Sequence, residues 1–227
     1  MVREAFDQEL QRLRNEVLVL GSMVENAIIE SVESLKNQDG EAARRIIAQD
    51  RLINRRRFEI EADALTLIAT QQPMARDLRT IAAVLDLSSE LERIGDYAKG
   101  IGRITLLMGE EHLIKPLVDL ALMAGKARDM LHDALGAFIG ADTDLAHAIP
   151  QRDDEVDALY NQINRELITL ILADPSRIGQ ANYLLWAAHN LERAADRVTN
   201  ICERVIFTAT GEMVEMDAET GGIESLT

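Results

Sequence analysis

Apolar residues recur every three or four positions along nearly the whole chain. In the first segment Phe6, Leu10, Leu13, Val17, Leu20, Val24, Ala27 and Ser31 alternate steps of four and three, and Leu35 lies four further on. That is the 3.5-residue seam of left-handed helix packing. The run Asn37-Gln38-Asp39-Gly40 interrupts it, and Asp39 is placed to cap the next helix. The second helix carries Ile46, Ile53, Ile60, Ala64 and Leu67 and stops at the turn Gln71-Gln72-Pro73. Pro73 suits the first turn of a third helix, with Asp77 near its positive end. That helix carries Leu78, Ile81, Leu85, Leu91, Ile94, Ile101 and Met108 on its apolar stripe.

The plan then repeats. Residues 109–116 separate the halves, and a fourth helix spans 117–138. After the break Gly140-Ala141-Asp142, a helix over 144–172 should be kinked or interrupted at Pro150. Asp174-Pro175-Ser176 breaks the pattern again, and the last helix spans 178–207. Six long helices with short connections predict an all-α protein of two pseudo-symmetric, antiparallel three-helix bundles. The first occupies 1–112 and the second 113–212. The acidic tail, 213–227, lacks helical periodicity and is expected to be disordered.

Composition narrows the function classes. Aromatic residues are 4% of the 227, as expected of helical bundles rather than sheets. A formal net charge of −15 argues against a nucleic-acid binder, which would show a basic face, and suits a protein that gathers cations or meets basic surfaces. The one cysteine, Cys202, forms no internal disulfide and fits a reducing, cytoplasmic setting. The charged run over 1–16 leads us to expect no signal peptide, and no stretch approaches the roughly 20 apolar residues of a membrane span.

The chemistry lies in a motif that occurs twice, a hundred positions apart. Leu91-Glu92-Arg93-Ile94-Gly95-Asp96 and Leu191-Glu192-Arg193-Ala194-Ala195-Asp196 share four of six residues. Each puts a Glu and an Asp one turn apart on a single helix face, where like charges repel. A second repetition accompanies the first: Asp50 with Asn54, and Asp153 with Asp157, on the middle helices. Antiparallel packing would gather Asp50, Asn54, Glu92 and Asp96 into one cluster, and Asp153, Asp157, Glu192 and Asp196 into another. Oxygen-only clusters suit Mg²⁺, Mn²⁺, Ca²⁺ or iron. The residues alone leave a second reading open, a solvated face on which Arg93 and Arg193 pair with Asp96 and Asp196.

Other chemistry is thin. His112, His132, His147 and His189 form no Glu-x-x-His pattern, which argues against a ferritin-like di-iron oxidase. His189, one turn before Glu192, is a candidate peripheral ligand. Cys202 has apolar neighbours at helical spacing and reads as a buried structural thiol. No catalytic triad, phosphate loop or nucleophile elbow is present, so no enzyme activity is expected.

Gln72-Pro73-Met74-Ala75-Arg76-Asp77-Leu78-Arg79, followed by the Leu91–Ala98 stretch, resembles the first half of the PhoU family of bacterial phosphate-signalling regulators. The stretch from Leu191 through Thr199-Asn200-Ile201-Cys202-Glu203 to Thr210-Gly211-Glu212 resembles its second half. The resemblance implies two three-helix bundles, frequent homodimers, and metal-binding roles for Asp50, Glu92, Asp96, Asp153, Asp157, Glu192 and Asp196. The cofactor it implies is a divalent or trivalent metal ion (Mg, Mn, Zn or Fe). It further implies repression of the phosphate-starvation response, by linking the ATPase subunit of the phosphate ABC transporter to a sensor histidine kinase. Arg76, Asp77 and Arg79, at the start of the third helix, are candidate partner contacts.

Three departures stand out. Asn54 replaces an Asp frequent in the family, Lys99-Gly100 replaces the Thr-Asn kept as Thr199-Asn200, and Ala194-Ala195 replaces Ile-Gly. The second site is therefore expected to hold metal better than the first. The rival function is a metal-storage protein or metal-dependent oxidase built on the same carboxylates.

Overall fold

The structure, a computed structural model, describes residues 2–216 and the strand Glu224–Ser225, with side chains for residues 4–216. Helix α1 (Val2–Lys36), α2 (Gly40–Gln71) and α3 (Ala75–Met108) make up the first half. The second half contains α4 (Val118–Gly140), the short α5 (Thr143–Ala148), α6 (Asp153–Ala173) and α7 (Ile178–Thr210). The predicted interruption falls at Pro150, where a 3-10 turn over Pro150–Arg152 separates α5 from α6. Among the described residues no helix is long and apolar enough to cross a membrane.

Short polar side chains set the helix starts. The Asp39 carboxylate accepts from Ala42 N at 2.9 Å, and Asp142 accepts from Leu145 N at 2.9 Å. The third helix departs from expectation. Pro73 lies two residues before it, and Met74 stands at the cap position with no side-chain bond. Leu78, expected on the buried stripe, is 43% exposed. Only the first turn of α3 is affected, since Ile81 and the following stripe residues are covered by α1 and α2.

Helix α1 is buried over a wider strip than a two-helix seam. Ile28, Val32 and Gly21 are buried beside the predicted positions, because α1 packs on α4 as well as on α2 and α3. A Cβ at Gly21 would collide with the Leu135 side chain of α4, so a glycine permits that approach. Helix α2 covers α1 and α3, and α6 covers α4 and α7, while α3 meets α7 between the halves. One continuous apolar core results, running from Leu13 and Val17 through Leu87 and Ile94 to Met130, Leu184 and Ile201. Burying side chains of this size contributes about 1.5–3 kcal/mol each.

The α3–α7 contact joins the two halves. Asp86 pairs with Arg204 (3.3 Å), Glu90 with Arg197 and Asn200 (both 3.4 Å), and Tyr97 with Arg193 (3.0 Å). The order reverses between the two helices, so they are antiparallel, with the two repeated motifs brought alongside each other. The linker between the halves is tied to both. Gln38 donates to the carbonyls of Gly109 and Glu111, and Gln180 accepts from Ile114 N at 2.6 Å.

The tail, expected to be disordered from residue 213, begins differently. Val214–Glu215 pairs with Glu224–Ser225 as a short antiparallel ladder, and Met216 N donates to Glu203 Oε1 at 2.9 Å. The expectation for residues 217–223 and 226–227 falls outside the described residues.

Candidate functional site

The middle helix and the motif-bearing helix lie against each other in each half, and the carboxylates meet across that contact. In the first half, α2 supplies Asp50 and Asn54, one turn apart, while α3 supplies Glu92 and Asp96. Asp50 is 3% exposed and Asp96 lies toward solvent. Lys99, one turn beyond Asp96, reaches across: its Nζ donates to Asp50 Oδ2 at 2.6 Å and to Asp96 Oδ1 at 3.0 Å. The Asn54 amide donates to the same Asp50 oxygen at 3.4 Å. Hydrogen bonding to Asp50 is the main cause holding the Lys99 pKa above its ordinary value, so the ammonium stays charged. Burial, followed by Asp96, pushes Glu92 upward, and Arg57 opposes that rise.

In the second half, α6 begins at Asp153, with Asp157 one turn on, and α7 supplies Glu192 and Asp196. Asp153 is 3% exposed, and its Oδ1 has no hydrogen-bond partner. Burial first, then Asp196, Asp157, Glu192 and Asp154, raise its pKa from 3.8 to about 7. Glu192 is raised by burial and then by Asp196, with His189 opposing. Asp196 is raised by desolvation, while Arg193 and a hydrogen bond from Asp153 pull the other way. His189 Nδ1 sits 3.1 Å from Glu192 Oε2, off the hydrogen-bonding direction, so that oxygen also lacks a hydrogen-bond partner. Here the opposing charges on Asp196 come from Arg193, Arg197 and His189. The residue at the position of Lys99 is Thr199, which is buried and uncharged.

All eight residues singled out from the motifs are thus brought together, four in each half. The two halves differ in the charged groups they bring together. Among the described residues, no group of three or more acidic, histidine or cysteine side chains is placed to hold a metal ion. The second cluster has the chemistry a cation would satisfy: four carboxylates, a 97%-buried Asp153 with an unpartnered oxygen, and an Asp153 pKa forced up by burial first and then by the neighbouring carboxylates. Asp153, Asp157, Glu192 and Asp196 would hold it. The first cluster has three carboxylates, two of which, Asp50 and Asp96, are already bridged by its own ammonium.

The other candidates land elsewhere. Arg76, Asp77 and Arg79 sit at the end of the molecule where α3 starts and α7 stops. Arg76 is exposed, and its charge acts on Arg14, which donates to the α4 carbonyls of Phe138 and Ile139 at 3.2 and 2.6 Å. Arg79 is half-buried, packed under Gly211 at the α7 end, which limits its contact with any partner. Cys202 is fully buried, and burial raises its thiol to about 12. Periodicity did not reveal the Tyr97–Arg193 and Glu90–Arg197 network between the halves. Its signal was there in the duplicated motif, whose two copies a pseudo-symmetric fold sets side by side.

Residues 17–105 and 120–205 each match the PhoU domain. The chain belongs to the PhoU family. It is 38% identical over 221 residues to a phosphate-specific transport system accessory protein PhoU homolog of Clostridium acetobutylicum, covering 96% of this chain and 100% of that one. A PhoU homolog of Aquifex aeolicus is 36% identical across 92% of this chain and 94% of its own length. Among solved structures, the crystal structure of the phosphate transport system regulatory protein PhoU from Streptococcus pneumoniae superposes with a TM-score of 0.86. It is 33% identical and covers 93% of this chain and all of its own. PhoU from Pseudomonas aeruginosa gives 0.85 at 33% identity, covering 91% of this chain and 99% of its own. The two PhoU matches contain both carboxylate clusters, one in each repeat.

Proposed function

We propose that this chain is a cytoplasmic, non-catalytic regulator of phosphate uptake. It docks on the ATPase subunit of the phosphate ABC transporter and on a sensor histidine kinase, and it represses the phosphate-starvation response when phosphate is plentiful. The observation that carries the reading is the match of both halves to the PhoU domain, with relatives named as accessory proteins of phosphate-specific transport. The molecule suits that work physically. Its continuous core makes a rigid platform, and its net charge of −15 favours partners with basic surfaces. Homodimers are the expected assembly.

A metal ion at Asp153, Asp157, Glu192 and Asp196 forms part of the proposal. When bound, it supplies positive charge that ties α6 to α7. Asp153 anchors the cluster from the buried side, while Glu192 and Asp196 present oxygens one turn apart on α7. The exposed start of α3, led by Arg76 and Asp77, is the proposed partner contact.

Co-purification tests the role. The tagged chain, expressed in phosphate-replete and phosphate-starved cells, is expected to retain the transporter ATPase and the kinase under at least one condition. Deleting the gene is expected to derepress starvation genes in rich medium. Capture of neither partner, with unchanged starvation-gene expression, would refute the role.

A further inference from the structure

We propose that Lys99 is the resident cation of the first-half carboxylate site, so that metal binding by this chain is confined to the second half. The inference rests on the metal reading above and deepens it. The pseudo-equivalent sites differ at two aligned positions: Asn54 faces the role of Asp157, and Lys99 that of Thr199. Those two changes convert a set of four carboxylates into three carboxylates plus an ammonium.

The geometry makes that ammonium a competitor rather than a bystander. Lys99 Nζ bridges the two helices, 2.6 Å from Asp50 Oδ2 and 3.0 Å from Asp96 Oδ1. Its side chain is 20% exposed and that of Asp50 4%, so the pair is weakly screened by water. A metal ion would need those same oxygens at roughly 2.0–2.6 Å, which the ammonium excludes. Tethered to α3, the ammonium meets Asp50 and Asp96 without the loss of translational freedom that binding a free ion requires. A free ion at trace concentration competes against that. In the second half the position of Lys99 is taken by the buried, uncharged Thr199, and Asp153 Oδ1 has no hydrogen-bond partner.

Metal content after saturation with Mn²⁺ and desalting tests the proposal, with four proteins compared by elemental analysis and thermal unfolding. Wild type is expected to retain Mn²⁺, and Asp157→Asn/Glu192→Gln to lose all of it. Lys99→Thr/Asn54→Asp is expected to gain a second class of bound Mn²⁺ and to unfold at higher temperature when Mn²⁺ is present. Lys99→Arg, which keeps the charge and the fold, is expected to match wild type. Retention of Mn²⁺ by Asp157→Asn/Glu192→Gln, lost on adding Asp96→Asn, would overturn the proposal. So would failure of folded Lys99→Thr/Asn54→Asp to take up extra metal. Should that double variant not fold, the Asp157→Asn/Glu192→Gln result decides alone. If wild type bound no Mn²⁺ while Lys99→Thr/Asn54→Asp did, the second-half metal reading would fail and the blocking role of Lys99 would stand.

Discussion

Replacing Asp153 with Asn is expected to stabilise the metal-free protein at neutral and alkaline pH. Asp153 is 3% exposed, and burial first, then the charges of Asp196, Asp157 and Glu192, raise its pKa to about 7 against an ordinary 3.8. A rise of that size means that ionising this carboxyl costs the folded state roughly 4 kcal/mol more than it costs the unfolded chain. The sign follows from proton uptake. Between about pH 4 and 7 the folded state binds more protons than the unfolded one, so this group's contribution is intact below pH 4. It is lost as pH rises through 7. An asparagine keeps the shape and has no charge to desolvate. It forgoes the favourable placement of an anion at the start of α6, about 0.3–1 kcal/mol, and keeps an N–H for Asp196. The net gain at pH 8 is therefore about 2–3 kcal/mol, and it should shrink toward zero near pH 4. Urea unfolding of both proteins in chelator, at pH 4, 6 and 8, measures it directly. Adding Mn²⁺ at pH 8 should reverse the order, since ligand bound only to the folded state favours wild type. A variant less stable than wild type at pH 8 in chelator, or a difference independent of pH, would refute the electrostatic account of the cluster.

Asp39→Ala removes the acceptor of the Ala42 N–H and should lower stability by about 1 kcal/mol, read as a reduced urea midpoint with an unchanged slope. Gly21→Val places a side chain on Leu135 and should cost about 1–3 kcal/mol. Leu135→Ala in the same chain should recover part of that loss, so additive effects in the double-mutant cycle would contradict the α1–α4 contact. The Cys202 thiol, buried and raised to about 12, should resist a water-soluble thiol reagent at pH 8 and react only on unfolding. Rapid labelling of the native protein would show the α7 interior to be open.

Much of the helical plan was legible because it depends on near neighbours in the chain. The seam of Leu13, Val17, Leu20 and Val24, the cap at Asp39 and the interruption at Pro150 follow from spacing, short polar side chains and a missing N–H. The pairing of Asp50 with Asn54 and of Glu192 with Asp196 follows from the same arithmetic of one turn. Leu78 misled because periodicity marks a stripe without marking where the covering helices stop. Gly21 gave no sign of its purpose, since the side chain it accommodates, Leu135, is supplied by the other half. The network joining Glu90 and Tyr97 to Arg197 and Arg193 depended likewise on how α3 crosses α7.

By itself, then, the sequence determined where most helices begin and end, most of their apolar faces and which carboxylates stand one turn apart. Each of these is a relation over a few residues along one axis. Only the tertiary structure decided what those carboxylates experience. Asp50 meets an ammonium 49 positions away, and Asp153 meets carboxylates from α7 without one. The physical reason is that desolvation and charge–charge energy are set by whatever lies within a few ångströms in space. That company is chosen by the packing of α2 on α3 and of α6 on α7.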